Sequence, residues 1–270
     1  MRLVASDMDG TIVGHDGKIS PRTVEAFQRC LDAGVEVVFV TGRPPRWLDP
    51  LREQLGHRGT VICSNGAVTY NLDDERVLSA HLLEHSNILA AREIILDLYP
   101  AAAFAAETVT GFHIEHGFAE EGSVELLAGA VAMPLADSLA GQGVIKFLAR
   151  EREVLPDNFL NRVRPAVAHL VTATHSAPSV ALLEMSMPGI NKSVTLAEFA
   201  ASRGISQADV VAFGDMPNDV QMLSWAGTGY AMASGHPEAI AAADQQAPAF
   251  EEDGVAQILE ERLAALRASF

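Results

Sequence analysis

Over the first 80 residues, short apolar runs alternate with longer stretches of helical periodicity. Residues 3–6, 35–40 and 60–63 are apolar, rich in β-branched side chains and too short for helices, so each predicts a buried strand. Between the first two lies a helix with Ser20-Pro21 as N-cap and first position and Gly34 as its stop. Thr41-Gly42-Arg43-Pro44-Pro45 turns into a second helix, and residues 68–70 and 77–79 alternate as a hairpin. Strands separated by helices predict a parallel sheet.

Beyond residue 82 the pattern changes to mixed helices and strands, rich in Ala and interrupted at Pro100, Gly111, Gly117, Gly122, Pro134, Gly141 and Gly143. The alternation resumes after Met187-Pro188-Gly189, with helices expected near 192–202, 217–225, 236–242 and 256–268 and strands at 210–213 and 230–232. The expected fold class is therefore α/β: a Rossmann-like parallel-sheet core formed by 1–82 and 188–270, with an inserted α+β domain at 83–187.

Composition narrows the partners. The chain has 270 residues, 49% hydrophobic and 20% charged, which is ordinary for a globular protein that builds a real core. Its 35 acidic against 19 basic residues give a net charge of −16, which repels a phosphate backbone and argues against nucleic acid. The same charge opposes a small phosphorylated ligand unless a cation reverses the field locally. Cys30 and Cys63 lie far apart and outside any metal-ligand motif, so neither a disulfide framework nor a zinc site is expected. Asp7 and Asp9 interrupt the apolar start, and no segment has the length of a membrane span, so a cytoplasmic protein without membrane association is expected.

Two acidic clusters each follow a predicted strand. Asp7-Met8-Asp9-Gly10-Thr11 places two carboxylates at positions i and i+2, on one face if the chain stays extended, at the strand end where open α/β sheets bind ligands. Gly214-Asp215-Met216-Pro217-Asn218-Asp219 repeats the arrangement later in the chain. One acidic turn is ordinary capping chemistry. Two on one sheet require compensation, because like charges about 4 Å apart repel by about 4 kcal/mol at an effective dielectric of 20. Oxygen-rich sites of this kind suit Mg²⁺, which answers the charge problem. Thr41-Gly42 offers a hydroxyl and amides to a phosphoryl oxygen, and Lys192 offers an ammonium at a helix start.

These residues, in this order, together with Ser64-Asn65-Gly66-Ala67, resemble the haloacid-dehalogenase-like hydrolases, and the large insertion resembles the cap of the Cof-type branch. The segments 230–232, 237–239 and 252–256 also resemble that branch, whereas Ala233-Ser234-Gly235 departs from its Gly-Asn-Ala pattern.

The resemblance implies a catalytic set of Asp7 as nucleophile, Asp9 as general acid and base, and Lys192 orienting Asp7. It implies phosphate binding by Met8, Gly10, Thr11, Thr41, Gly42, Lys192 and Asn218, and Mg²⁺ held by Asp7, Asp9 through its backbone carbonyl, Asp215 and Asp219. The expected activity is Mg²⁺-dependent hydrolysis of small phosphomonoesters, sugar phosphates foremost, through an aspartyl-phosphate, by a monomer or weak homodimer. A phosphomutase using the same intermediate and a non-catalytic metal- and phosphate-binding regulator are the alternatives. His113-Ile114-Glu115-His116 reads as the outer face of a strand rather than a metal motif.

Overall fold

The computed structural model describes residues 1–55, 59–119, 132–177 and 179–268. The chain divides into two compact units, one formed by Met1–Ser79 with Asn191–Phe270 and the other by Ala80–Ile190.

The two-segment unit begins with β1 (Leu3–Ser6), α1 (Pro21–Asp32), β2 (Glu36–Val40), α2 (Asp49–Leu55), β3 (Thr60–Cys63), β4 (Val68–Asn71) and β5 (Arg76–Ala80). Ser20 caps α1 by accepting from the Thr23 amide, and Gly34, at φ +75°, stops the helix where a side chain would be strained.

The inserted unit contains α3 (His85–Leu98), β6 (Ala103–Thr108), β7 (Phe112–Ile114), α4 (Leu135–Ser138), β8 (Val144–Arg150), α5 (Pro156–Val167), β9 (Thr172–Thr174) and β10 (Leu182–Ser186). Its strands run β7-β6-β8-β10-β9 and pair antiparallel. Phe104, Phe147, Ala149, Leu183 and Met185 share a core with Ile88, Ile95, Phe159 and Val163 of α3 and α5. In the tetrapeptide 113–116, expected on a strand rather than in a metal motif, His113 lies on β7 and Glu115 is bound by Arg92. Gly122, one of the expected turn signals, lies outside the described residues.

The chain returns through α6 (Lys192–Ser202), β11 (Val210–Gly214), α7 (Val220–Trp225), β12 (Thr228–Met232), α8 (Pro237–Ala242), β13 (Gln245–Ala247) and α9 (Gly254–Ala268). The strand order is β13-β12-β11-β1-β2-β3-β4-β5, parallel from β13 to β3 and antiparallel from β3 to β4. Where a helix was expected from residue 217, Pro217–Asp219 forms a 3₁₀ turn and α7 starts only at Val220, because the Asp219 carboxylate accepts from the Asp215 and Met216 amides and closes a tighter turn.

β1 lies between β2 and β11, the two directions in which the sheet is wound. This is the switch point at whose strand ends doubly wound sheets leave a crevice. Apolar side chains on both faces hold β1 there. Leu3 and Ala5 pack with Leu196, Met222 and Leu223 from α6 and α7. Phe27 of α1 meets Phe39 of β2 edge-on at 5.1 Å. Burying several such side chains stabilises the unit by about 1.5–3 kcal/mol each, enough to hold polar groups rigidly at the sheet's rim.

Candidate active site

Four neighbouring parallel strands end in polar residues at one rim. β1 runs into Asp7, β2 into Thr41, β3 into Ser64 and β11 into Asp215. The Asp7 amide donates to the Phe213 carbonyl at 2.9 Å, extending the β1–β11 pairing one step and fixing Asp7 beside the Gly214–Asp219 loop.

Oxygens of Asp7, Asp215 and Asp219 all lie within 4.8 Å of one another. Lys192, fully buried at the first position of α6, donates to Asp7 Oδ1 at 2.5 Å and to Asp219 Oδ1 at 2.7 Å. Asn191 places it there, capping α6 through its side chain. The other oxygen of Asp219 accepts from the amides of Asp215 and Met216 at 3.1 and 3.0 Å. Thr11 donates its hydroxyl to Asp215 Oδ1 at 3.3 Å. Gly10 sits at φ +83°, and a Cβ there would collide with the Asp215 carboxylate, so close approach of these loops requires glycine.

Three carboxylates thus face one ammonium, a deficit of two charges among buried groups. The deficit appears in the acidities. Burial, with Asp219 adding to it, pushes Asp7 up to about 7 against the pull of Lys192. Burial and the charges of Asp7 and Asp219 push Asp215 up to about 9. Burial works to lower the Lys192 ammonium, but Asp219 and Asp7 outweigh it and hold it above its ordinary value. An all-oxygen donor set with two negative charges in excess fits a hard divalent cation, and Mg²⁺ in particular.

The remaining expected residues take different places. The Asp9 carboxylate lies outside the three-aspartate cluster. Its side chain is 53% exposed and pairs with Arg43, because β1 ends at Ser6 and the two-residue alternation does not carry through the following loop. Met8 has a fully buried side chain, which leaves only its backbone for a ligand. The Gly10 amide already donates to the Val13 carbonyl at 3.0 Å. Thr41 is buried, and its hydroxyl accepts from the Arg43 amide at 3.1 Å while retaining a proton to donate. Gly42 follows it at the end of β2. Asn218 donates to Asn65 Oδ1 at 3.0 Å, and its own Oδ1 is buried without a partner among the described residues.

Two participants lay outside the expected set. Ser64 and Asn65 are both buried and adopt φ of +52° and +55°, a left-handed pair of non-glycine residues. Backbone strain of this kind persists only where the surroundings enforce it. Here the Ser64 amide donates to the Arg43 carbonyl and the Asn65 amide to the Thr41 carbonyl, both at 3.0 Å. The signal was present in Ser64-Asn65-Gly66-Ala67, but a turn-rich tetrapeptide does not reveal left-handed backbone at Ser64.

A family model for haloacid dehalogenase-like hydrolases matches residues 4–259. The chain belongs to this family, in its Cof-type branch. It is an enzyme, a hydrolase, built on the family's Rossmann-like core with an inserted α+β unit. The 5-amino-6-(5-phospho-D-ribitylamino)uracil phosphatase YitU of Bacillus subtilis is 27% identical over 261 residues, covering 96% of each chain. The pyridoxal phosphate phosphatase YbhA of Escherichia coli is also 27% identical, over 86% of this chain and 88% of its own. Among solved structures, the subclass IIB sugar phosphatase BT4131 superposes with a TM-score of 0.79 at 19% identity, over 97% of this chain and 98% of its own. Among the described residues, no helix is long and apolar enough to cross a membrane.

Proposed function

We propose that this phosphoric monoester hydrolase is a Mg²⁺-dependent phosphatase of small phosphorylated metabolites that works through an aspartyl-phosphate on Asp7. The two-segment unit is the catalytic core and the inserted unit its cap. The single observation that carries this reading is the buried Asp7 carboxylate, held by Lys192 beside Asp215 and Asp219 at the switch point of the sheet.

Asp7, Asp215 and Asp219, with the Asp9 backbone carbonyl, are the residues that would hold Mg²⁺. Bound there, the ion would supply the missing positive charge and screen an anionic nucleophile from a phosphate dianion. Lys192 takes one Asp7 oxygen and so aims the other at phosphorus. Thr41 and the Gly42 amide receive the phosphoryl oxygens, and buried donors of this kind favour the charge that develops in transfer.

In the first step the free Asp7 oxygen bonds to phosphorus as the ester P–O bond breaks, and the leaving oxygen takes a proton from the Asp9 carboxyl. In the second, a water oxygen bonds to phosphorus and gives its proton to the Asp9 carboxylate. The bond between Asp7 and phosphorus breaks, releasing inorganic phosphate and restoring both aspartates.

The substrate class rests on the relatives, which act on a ribitylamino-pyrimidine phosphate and on pyridoxal phosphate, and on the structural likeness to a sugar phosphatase. All are phosphomonoesters of small polar alcohols, and sugar phosphates remain the leading expectation. Cys30 and Cys63 are buried thiols, which suits the reducing cytoplasm in which this enzyme would act.

The test is phosphate release from a panel of sugar phosphates, pyridoxal phosphate, flavin mononucleotide and nucleotides. Release is expected to require Mg²⁺, to stop on adding EDTA, and to fall about a thousandfold in Asp7→Asn with the fold intact by circular dichroism. Undiminished release by Asp7→Asn would remove the covalent route.

A further inference from the structure

The loop after β1 closes on itself. The Met8 carbonyl accepts from the amides of Thr11, Ile12 and Val13 at 3.2, 2.8 and 2.8 Å, and the Gly10 amide donates to the Val13 carbonyl at 3.0 Å. The side chains of Met8, Ile12 and Val13 are buried and hold the turn to the core. The amides of Gly10 and Thr11 are therefore engaged within the turn rather than held out for a phosphoryl oxygen.

The turn meets Asp215 instead. Thr11, itself buried, donates its hydroxyl to Asp215 Oδ1 at 3.3 Å, and a Cβ on Gly10 would collide with Oδ2, so the turn lies against both carboxylate oxygens. A separate loop fixes the Asp215 main chain. Its carbonyl accepts from the His236 amide at 2.7 Å, and Gly235 packs on it with no room for a Cβ.

The three aspartates are held by different kinds of donor. Asp7 and Asp219 share the Lys192 ammonium, which neutralises as it orients. Asp215 meets a hydroxyl, which orients a carboxyl group without adding positive charge. An ammonium in that place would fill the deficit that attracts a divalent cation, whereas a hydroxyl preserves it.

We infer that Thr11 is a positioning residue of the cation site and not a phosphate contact: its hydroxyl fixes one Asp215 oxygen and leaves the other for Mg²⁺. Metal-ligating carboxylates are themselves hydrogen-bonded, and losing such an outer partner lowers metal affinity about 10–100-fold. This inference rests on the reading of the aspartate cluster as the Mg²⁺ site and deepens it by moving Thr11 from the substrate to the metal.

Thr11→Val keeps the shape of the side chain and removes the hydroxyl, while Thr11→Ser keeps the hydroxyl. Isothermal titration of Mg²⁺ into the metal-free protein measures binding without turnover. The Kd of Thr11→Val is expected to rise at least fivefold over the parent, and that of Thr11→Ser to stay within threefold. At Mg²⁺ concentrations that saturate each variant, KM for p-nitrophenyl phosphate should stay within threefold of the parent, because substrate does not touch Thr11.

A smaller rise in Thr11→Val, or a rise above threefold in Thr11→Ser, would overturn the assignment, since the hydroxyl would then not be what holds the site. So would a KM raised more than threefold at saturating Mg²⁺, which marks a substrate contact. If Thr11→Val fails to fold by circular dichroism in EDTA, Thr11→Ala carries the same readout with the same thresholds. The parent and Asp215→Asn separate this inference from the reading beneath it. Should the parent take up no Mg²⁺, or Asp215→Asn bind it as tightly, the functional reading fails and the inference with it. Should both behave as expected while Thr11→Val binds like the parent, the assignment of Thr11 alone is lost.

Discussion

Lys192 and Asp215 sit on opposite sides of the same charge imbalance. Lys192 is the cation that lets Asp7 and Asp219 be buried together, since removing one partner of a buried pair costs about 3–5 kcal/mol. Asp215 accepts from the Thr11 hydroxyl and has no ion pair among the described residues, and its carboxyl is pushed up to about 9 by burial and by the charges of Asp7 and Asp219. Without a divalent cation this group is a burden on the fold. Asp215→Asn keeps the shape and removes a carboxyl that folding must either protonate or bury charged, so in EDTA at pH 7 the variant should be more stable than the parent by about 1–3 kcal/mol. Urea denaturation in EDTA would measure this. The same substitution should lower Mg²⁺-dependent phosphate release at least a hundredfold, a trade of function for stability typical of catalytic sites. A variant no more stable than the parent in EDTA would mean that the Asp215 carboxyl is accommodated in the fold without a metal and costs it nothing.

Among the elements, the turn after β3 joins three parts of the rim. Asn65 accepts from Asn218, the Asn65 amide reaches Thr41, and the Ser64 amide reaches Arg43. Asn65→Gly relaxes a left-handed backbone and at the same time removes the acceptor for Asn218. Melting temperature should therefore hold steady or rise slightly while kcat drops about tenfold, the value of one hydrogen bond near 1.4 kcal/mol. A parallel loss of both would make the turn a structural support only. The core strands were legible because a parallel strand covered on both faces reads as an unbroken apolar run, as in Leu3–Ser6 and Thr60–Cys63. In the inserted unit β6 was hidden, since Ala-Phe-Ala-Ala-Glu-Thr is built largely from helix formers and becomes a strand through its pairing with β8. The aspartates and Lys192 were legible as residue types at strand ends and a helix start. The Arg43–Asp9 pair was not, because local periodicity carries no information about a contact 34 residues apart.

For the whole molecule, a net charge of −16 disfavours every phosphorylated ligand at long range, so attraction has to be generated locally and stored in one unit. The two-segment unit holds the aspartate cluster, and the inserted unit has its own apolar core around Phe104, Phe147 and Phe159. A cation that binds only the folded cluster adds RT ln(1 + [Mg²⁺]/Kd), about 2.7 kcal/mol at a hundredfold excess over Kd, and this slows globally controlled amide exchange about a hundredfold. Hydrogen-exchange mass spectrometry with and without Mg²⁺ should therefore show slowing in the strands β1, β2 and β11, strongest around 7–11, 191–195 and 214–219. Peptides from α3, α5 and β8 should change far less. Uniform slowing in both units would mean that they unfold as one, while protection confined to the inserted unit would move the metal away from Asp7. Asp215→Asn supplies the control: its exchange should be nearly indifferent to Mg²⁺, since the deficit of charge that attracts the ion has been halved.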